Sequence, residues 1–332
     1  MGLRQFTLDV PAPFRLDLTV WALRRRPHNT IDRFDGTSYR RTLVMEGRTF
    51  EVAACQAGDS PTPRLAVQLR CPGAGPNEAA ESEARGVLRR TLGLDVDING
   101  FYWLAERDDR LTALAARFSG MRPPRFPSVF EALVNAIACQ QLSLTVGIHL
   151  LNRLAARYGP TTPRTGSAGF PVPDRLAGAD PQDLHALGFS RSKAQAICSL
   201  AGRVARGELD LEALDRVDDD KARAVLLEIG GIGRWSAEYA LLRGLGRLDV
   251  LPGDDVGARN NLRRRFGLDS SAGYDELSAL SRSWWPYGGL VYFHLLLDAL
   301  AEAGHVAPAE APPLAPPALR RRQRGRSPKG RT

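Results

Sequence analysis

The sequence predicts an α+β N-terminal layer, a small antiparallel sheet with helices, followed by a domain built only from helices. Two observations carry this fold class. Alternating β-branched and aromatic residues stop near residue 71, and from about residue 100 onward apolar residues recur three and four apart. A sheet covered by helices is a standard layer arrangement. The expected boundaries are residues 1–112 for the first domain and 113–305 for the second, with a tail at 306–332.

Strand patterns in the first domain occupy residues 4–10, 37–57 and 63–71. The tripeptide "EGR" interrupts the second of them, which predicts a hairpin turn at that point. Helical spacing marks residues 14–26 and 77–94, and these two helices are expected to cover the sheet.

The second domain opens with a helical pattern at 127–159, in which Ser128 and Glu131 have the spacing of a capping box. Residues 159–174 form a turn-rich loop. The tail is rich in proline and alanine and then basic, so it is expected to be disordered. Its last stretch, 320–332, holds seven basic groups and no acid, so most of the net charge of +8 lies there.

Composition narrows the class of protein. Hydrophobic content of 43% and charged content of 25% are ordinary for a globular chain. No apolar run approaches the roughly 18 residues of a membrane helix, and the N-terminus lacks a signal-peptide pattern. The four cysteines (Cys55, Cys71, Cys139 and Cys198) have neither metal-site nor disulfide-framework spacing. We therefore expect a cytoplasmic monomer with no membrane partner.

The stretch "GGIG", residues 230–233, separates two helical segments, "KARAVLLEI" and "RWSAEYALLRG". A tight turn of this kind presents backbone N–H groups at the start of its second helix, where they can bind a phosphate. The alternative is a plain helical hairpin whose glycines only allow close packing. The turn alone leaves both interpretations open.

Two aspartates, Asp254 and Asp255, follow Pro252 and Gly253 and precede a helical segment. Either aspartate can cap that helix, which is the usual role of an aspartate in this position. Backbone donors and the helix dipole would also keep such a carboxylate ionised. An ionised carboxylate can stabilise positive charge that develops during a reaction, so capping and catalysis are compatible.

This arrangement resembles the helix–hairpin–helix DNA glycosylase superfamily, and "GIGRWSAEYALLRG…LDVLPGDD" resembles its bacterial 3-methyladenine DNA glycosylase II (alkylation-repair) branch. Three further stretches are similar to that branch and occur in the same order. They are "PSVFEALVNAIACQQLSLTVG", "LGFSRSKAQAICSLA" and "WWPYGGLVYFHLL". The resemblance covers most of the chain, with the 159–174 loop and the tail as additions. It implies that the second domain is a helix–hairpin–helix glycosylase domain.

The resemblance also implies roles for individual residues. Asp255 is implied to be the catalytic carboxylate, and the amides of Gly231 and Gly233, with Arg234, are implied to bind DNA. The base pocket is implied to hold three aromatic side chains: Trp235, Tyr239 and Tyr287. A monovalent cation is implied at three backbone carbonyls: those of Leu227, Ile229 and Ile232.

Gln140 and Gln141 are implied to lie in the loop that fills the gap left by an extruded nucleotide, with either Gln141 or Leu142 as the wedge. The chain departs from the family pattern at Gly230, where proline is usual, and at Val256, where an aromatic residue often occurs. Three other aromatic residues match no motif and are assigned to the core: Trp103, Trp284 and Tyr292.

The implied function is that of a monofunctional DNA glycosylase. It would flip alkylated purines (3-methyladenine, 7-methylguanine) out of double-stranded DNA and excise them hydrolytically in base excision repair. An alkylated purine is a cation, and aromatic faces attract cations. Trp235 stands where bifunctional relatives carry a lysine, so no lyase activity is expected, and the absence of cysteine after Cys198 argues against an iron–sulfur cluster. Two alternatives stay open: a glycosylase for oxidised purine, hypoxanthine or uracil, and a non-catalytic DNA-binding protein.

Overall fold

The computed structural model describes residues 2–57, 62–73, 75–162, 165–269 and 273–308. The predicted disordered tail lies outside them except for its first three residues. Across the described part of the chain, none of the helices has both the length and the apolar character that crossing a membrane requires.

The N-terminal sheet has five antiparallel strands in the order β1-β5-β4-β3-β2. Their bounds are β1 Gly2–Asp9, β2 Arg33–Phe34, β3 Ser38–Met45, β4 Arg48–Ala57 and β5 Arg64–Cys71. The predicted hairpin turn is confirmed, because β3 and β4 are joined by Glu46 and Gly47 with φ angles of 48° and 69°. Positive φ at both central residues is what a tight two-residue hairpin requires.

Two helices from the N-terminal half accompany this sheet: α1 Leu16–Arg24 and α2 Glu78–Thr91. Alternate residues of β5, such as Leu65 and Leu69, are buried and share a core with Leu88 of α2. The period of two in β5 thus places one sheet face under the helices, as the sequence predicted.

The rest of the described chain is helical apart from loops and an isolated bridge between Thr161 and Ala168. The helices, in order, are α3 Asn99–Ala105, α4 Asp109–Arg117, α5 Val129–Cys139, α6 Leu144–Tyr158, α7 Pro173–Ala177, α8 Pro181–Ala186, α9 Arg191–Ala205, α10 Asp219–Leu227, α11 Arg234–Ala240, α12 Val256–Phe266, α13 Tyr274–Arg282 and α14 Gly288–Glu302. A π-helical turn, Leu241–Leu245, continues α11.

Helix α5 lies at the centre of the molecule and joins its two parts. Ala132 and Ala136 pack into the core of the sheet, whereas Leu133 and Ile137 belong to the core of the helical part. A helix that is apolar on all sides is buried on all sides. Because α1 also shares a core with α14, the two predicted domains are in extensive contact, and their exact boundary stays a prediction.

The capping box predicted at the start of α5 is only half present. The Ser128 hydroxyl accepts a hydrogen bond from the Glu131 N–H at 3.1 Å, as expected. The Glu131 carboxylate does not complete the box, however, because it is bound by the guanidinium of Arg41 from β3. A buried carboxylate gains more from a cation than from the backbone N–H that a capping box supplies.

Candidate active site

The "GGIG" turn joins α10 to α11. Gly231 has φ +86°, and a Cβ at this position would come within 2.8 Å of the Ala196 side chain on α9. Glycine is therefore required here both for its backbone conformation and for close packing. Gly230 has neither a positive φ nor a close neighbour, so neither the backbone conformation nor the packing requires glycine at this position.

Helix α11 begins without a side-chain cap. Its N-cap residue is Gly233, and among the described residues no acceptor bonds the N–H groups of Gly231 and Gly233. The carbonyl of Ile229 accepts a hydrogen bond from Ile232 N–H at 3.0 Å, while the carbonyls of Leu227 and Ile232 have no donor in the described structure. The turn therefore offers unsatisfied donors and unsatisfied acceptors.

Gln140 ties the loop after α5 to this turn. Its amide donates hydrogen bonds to the Gly231 carbonyl and to the Ser236 hydroxyl, both at 2.8 Å. Gln140 therefore connects the loop to the hairpin, and its expected role in filling the gap in DNA stays a prediction. Gln141 is exposed with φ +53°, and Leu142 is 43% exposed, so both predicted wedge candidates remain available at the surface.

The two aspartates have different surroundings. Asp254 is paired with Arg234 at 2.6 Å, and the guanidinium of Arg234 also stacks on the Tyr274 ring. Asp255 caps α12, because one carboxylate oxygen accepts from the Ala258 N–H at 2.9 Å. Its other oxygen accepts from the Tyr292 hydroxyl at 3.1 Å. Asp255 has no ion-pair partner among the described residues, so its charge is not neutralised.

The loop that carries Asp255 is anchored on α11. The Gly253 N–H donates to the Glu238 carboxylate at 3.3 Å, and the Tyr274 hydroxyl donates to the same group at 2.6 Å. Burial raises the pKa of Glu238. A Cβ on Gly253 would lie 2.9 Å from the Tyr274 ring, which accounts for glycine before the aspartates.

A cavity of about 1030 Å³ lies in front of Asp255. It is lined by the end of α1, the loop after α5, and parts of α11, α12 and α14. Five predicted site residues reach it: Asp255, Trp235, Tyr239, Gln140 and Gln141. A cavity of this size is typical of small-molecule binding sites.

Tyr287 does not line this cavity, which corrects the position expected for it. Its ring meets Phe101 edge-on at 6.2 Å between centroids, and its hydroxyl fills the space beside Gly100. Tyr292, five residues later in α14, lines the cavity instead and contacts Asp255.

The assignment of Tyr292 to the core is confirmed, since the residue is 7% exposed and belongs to a core cluster, but Tyr292 also lines the cavity. Burial and the charge of Asp255 raise the pKa of Tyr292 well above its usual value, so its hydroxyl remains a donor. A tyrosine in an apolar helix needs a hydrogen-bond partner, and that need was the signal available in the sequence. Of the other two aromatics assigned to the core, Trp284 is buried there, whereas the assignment is wrong for Trp103, which is 69% exposed.

Arg25 is a cavity residue that the sequence analysis missed. It ends α1 with φ +63° and is 3% exposed. Its guanidinium donates to the Tyr239 hydroxyl at 2.6 Å and to the Asn135 side-chain oxygen at 2.7 Å. The Tyr239 ring in turn packs 5.4 Å from Trp235. A permanent positive charge therefore lies in the cavity lining, behind the predicted aromatic residues.

Lys193 is held near the cavity without lining it. Its ammonium group donates to the carbonyls of Ala138 and Gln140 at 3.1 and 2.6 Å, at the C-terminal end of α5. Partial burial lowers the pKa of Lys193. The C-terminal end of a helix is the negative end of its dipole, so a cation in this position is stabilising.

Comparison with known proteins identifies relatives of this chain. The profile of the HhH-GPD superfamily of base excision DNA repair proteins matches residues 134–287. A DNA-3-methyladenine glycosylase of Bacillus subtilis is 30% identical over 210 residues, which are 63% of this chain and 69% of that protein. DNA-3-methyladenine glycosylase 2 of Escherichia coli is 33% identical over 186 residues, 56% of this chain and 63% of that protein.

A solved structure of a 3-methyladenine DNA glycosylase from Archaeoglobus fulgidus is similar with a TM-score of 0.77 at 25% identity. The match covers 91% of this chain and 100% of that one. By contrast, the chain spans 55% to 69% of the length of three of the curated relatives that it matches.

Proposed function

Because the chain belongs to the HhH-GPD superfamily of base excision DNA repair proteins, we propose that it is a DNA glycosylase that hydrolytically excises alkylated purines of the 3-methyladenine and 7-methylguanine type. The observation that carries the proposal is Asp255: a carboxylate with no ion-pair partner in the described structure, facing a cavity beside Trp235. The names of the similar proteins supply the class of base. We further propose that it acts as a cytoplasmic monomer on duplex DNA.

Duplex DNA would be held at the hairpin. The free N–H groups of Gly231 and Gly233 would bind one backbone phosphate, a contact that positions DNA without reading its sequence. The free carbonyls of Leu227 and Ile232 suit a monovalent cation, which prefers oxygen ligands. When bound, that cation would add positive charge next to the phosphate. Gln140 would keep the turn in place through its bond to the Gly231 carbonyl.

The target base must leave the stack, because its glycosidic bond is inaccessible inside the duplex. Gln141 or Leu142 would fill the gap, since both are exposed on the loop beside the cavity. The extruded base would stack on Trp235, whose ring forms part of the cavity lining. A cationic base gains attraction to an aromatic face that a normal base lacks.

Cleavage would then proceed by dissociation of the base. The bond between C1′ of the sugar and the base nitrogen breaks with its electron pair on the base, and the sugar becomes oxocarbenium-like. The Asp255 carboxylate would stabilise that charge and orient the water whose oxygen adds to C1′. A proton of that water passes to solvent, and the cationic base leaves neutral. The Ala258 N–H and the Tyr292 hydroxyl fix the orientation of this carboxylate.

We propose that no lyase step follows. A lyase needs an amine nucleophile at the reacting carbon. Trp235 occupies the position at which bifunctional relatives carry lysine, and the nearby Lys193 is engaged by two backbone carbonyls. The product would be an intact abasic site.

Base release from a panel of damaged duplexes tests the proposal. We expect wild-type protein to release alkylated purines. Asp255→Asn should lower the single-turnover rate by a factor of about 10²–10³, the range for removing one charge-stabilising group. Asparagine still caps a helix, so folding and duplex affinity should be retained. Asp254→Asn is the matched control, because Asp254 is an adjacent carboxylate that Arg234 already neutralises.

Near-normal release by Asp255→Asn would refute the catalytic assignment. Binding without release of any base would favour a non-catalytic DNA-binding protein. Fastest release of an oxidised purine or uracil would favour another damaged base as the substrate. A borohydride-trapped covalent complex in high yield would contradict the absence of lyase chemistry.

A further inference from the structure

Arg25 is a buried cation that is left without a charged partner at the edge of the proposed base site. In the described structure its guanidinium donates to the neutral side chains of Tyr239 and Asn135 and is also hydrogen-bonded to the thiol of Cys139. Its Nε–H is buried and has no acceptor among the described residues. A buried charge is costly unless it is paired, and Arg25 has no ion-pair partner among the described residues.

Other buried arginines also have an Nε–H without an acceptor among the described residues, but their terminal nitrogens have different partners. Arg41 is bound by carboxylates. Arg24 and Arg243 donate to backbone carbonyls, those of Phe34 and Pro27 and those of Ala22 and Leu23, respectively. None of these three arginines lines the cavity. Arg25 does, so its guanidinium lies at the wall of the space in which a ligand would lie.

Arginine recognises one purine edge above all. The commonest specific contact of its guanidinium with a base is to O6 and N7 of guanine, both acceptors, and in 7-methylguanine O6 is the acceptor of this pair that remains. Adenine presents an amino donor at position 6, which opposes the donors of a guanidinium. Both alkylated purines are cations and are repelled alike by the guanidinium, so the group at position 6 is what separates them at a site where burial strengthens electrostatic interactions.

We propose that Arg25 determines specificity in this site by donating hydrogen bonds to the 6-carbonyl of the extruded base, so that 6-oxo purines (7-methylguanine, hypoxanthine) are favoured over 6-amino purines such as 3-methyladenine. This inference rests on the proposed function and deepens it. Stacking on Trp235 does not distinguish the two classes, since both have an aromatic face. Arg25 adds the discrimination that the aromatic lining lacks.

The same contact assists departure of a neutral base. As the C1′–N9 bond of a hypoxanthine nucleotide breaks, its electron pair moves to the base, and O6 carries part of the negative charge. The Arg25 guanidinium stabilises that charge while Asp255 stabilises the positive sugar. Water then supplies hydroxide to C1′ and its proton to the departing base, so the products are neutral hypoxanthine and an abasic sugar.

A competition within one substrate tests the inference. Duplex DNA treated with dimethyl sulfate contains both 7-methylguanine and 3-methyladenine, and chromatography of the released bases gives the ratio of their single-turnover rates. We expect Arg25→Met to lower the ratio of 7-methylguanine to 3-methyladenine by about tenfold or more, the worth of a hydrogen bond to a charged group. A ratio does not depend on how much of the preparation is active.

Two further variants guard the conclusion. Arg25→Gly removes the guanidinium but suits the φ of +63°, so it covers the case in which methionine at this position prevents folding. Arg243→Met removes a neighbouring buried cation that also lies over the Tyr239 ring but does not line the cavity. We expect the Arg243 variant to keep the wild-type ratio. A ratio within twofold of wild type in Arg25→Gly would overturn the inference.

A binding measurement separates this inference from the proposed function. Free 7-methylguanine and 7-methyladenine differ chiefly in the groups on the pyrimidine ring, and calorimetry gives their affinities for the protein loaded with an abasic-site duplex. We expect wild-type protein to prefer 7-methylguanine and Arg25→Gly to lose the preference. If no base is excised but this preference and its loss are seen, the catalytic proposal fails and the role of Arg25 stands. If bases are excised and no preference is seen, the role of Arg25 fails alone.

Discussion

Charge away from solvent is treated differently in two regions of the molecule. At the junction between the sheet and α5, the guanidinium of Arg41 is bound by Asp32 at 2.5 Å and by Glu131. The Tyr39 hydroxyl adds a bond of 2.9 Å to Asp32. All of these side chains are buried. Opposite charges are therefore in direct contact at the junction.

Two charged groups of the cavity lining, Asp255 and Arg25, are met by neutral groups instead. Asp255 accepts from the Tyr292 hydroxyl, and Arg25 donates to the Tyr239 hydroxyl. No oppositely charged side chain pairs with either of them in the described structure. A charge held by neutral dipoles keeps its field, whereas an ion pair largely cancels its own. The junction is thus built for stability, and the cavity for acting on a ligand.

The largest effect that separates the two regions is expected from Arg41→Met. The substitution leaves Asp32 and Glu131 buried without their cation, and breaking a buried pair in this way costs about 3–5 kcal/mol. Arg40→Met is the matched control, because the adjacent Arg40 forms an exposed pair with Asp35, worth about 0–1 kcal/mol. Urea unfolding measures both.

Excision by the folded fraction of Arg41→Met should remain near normal, since Arg41 does not line the cavity. A loss of stability no larger than that of Arg40→Met would show that the junction pair is not the structural element described here.

A smaller effect is expected from pH. Burial, opposed by Arg41 and reinforced by Asp32, raises the pKa of Glu131 from 4.5 to about 7. The folded state therefore binds a proton that the unfolded state has lost between these two pH values. The contribution of Glu131 is fully present below pH about 4.5 and is lost as pH rises through about 7, by at most about 1.4 kcal/mol per pH unit.

Glu131→Gln removes this dependence, so the difference in unfolding free energy between wild type and variant should change across pH 4.5 to 7. Glu81→Gln is the control, because Arg4 and Arg85 lower the pKa of Glu81 and its contribution is lost only at more acidic pH. A pH-independent difference for Glu131→Gln would show that attraction to Arg41 offsets the effect of burial on the pKa of Glu131.

Several parts of the site could be predicted because their signals are local. The glycines of the "GGIG" turn and the aspartate before α12 are each read within a few neighbouring residues. The sheet and the helical part follow from hydrophobic periodicity. The prediction of a complete capping box was wrong for the opposite reason, since the Glu131 carboxylate is bound by Arg41, a residue 90 positions away.

The residues that complete the cavity could not be predicted from local patterns. Arg25 and Tyr239 are 214 positions apart and meet only because the end of α1 packs against α11. In a chain with 45 basic residues, nearly all of them arginine, a single arginine also carries little information. Tyr287 and Tyr292 both lie near the start of α14, and the sequence does not show which of the two rings points towards the cavity.

The smallest expected effect concerns Tyr292. Tyr292→Phe removes the hydroxyl that orients Asp255 and leaves the ring, so packing is preserved. A hydrogen bond to a charged group contributes about 1.5–3 kcal/mol at most, and water entering the cavity would replace part of it. We therefore expect the single-turnover rate to fall by about tenfold, with duplex affinity unchanged. Tyr39→Phe is the matched control, because its hydroxyl bonds a carboxylate at the junction. It should lower stability and leave the rate alone. Equal effects of the two variants on the rate would remove the distinction between the two regions, because a hydroxyl on a carboxylate would then matter for the reaction wherever it lies.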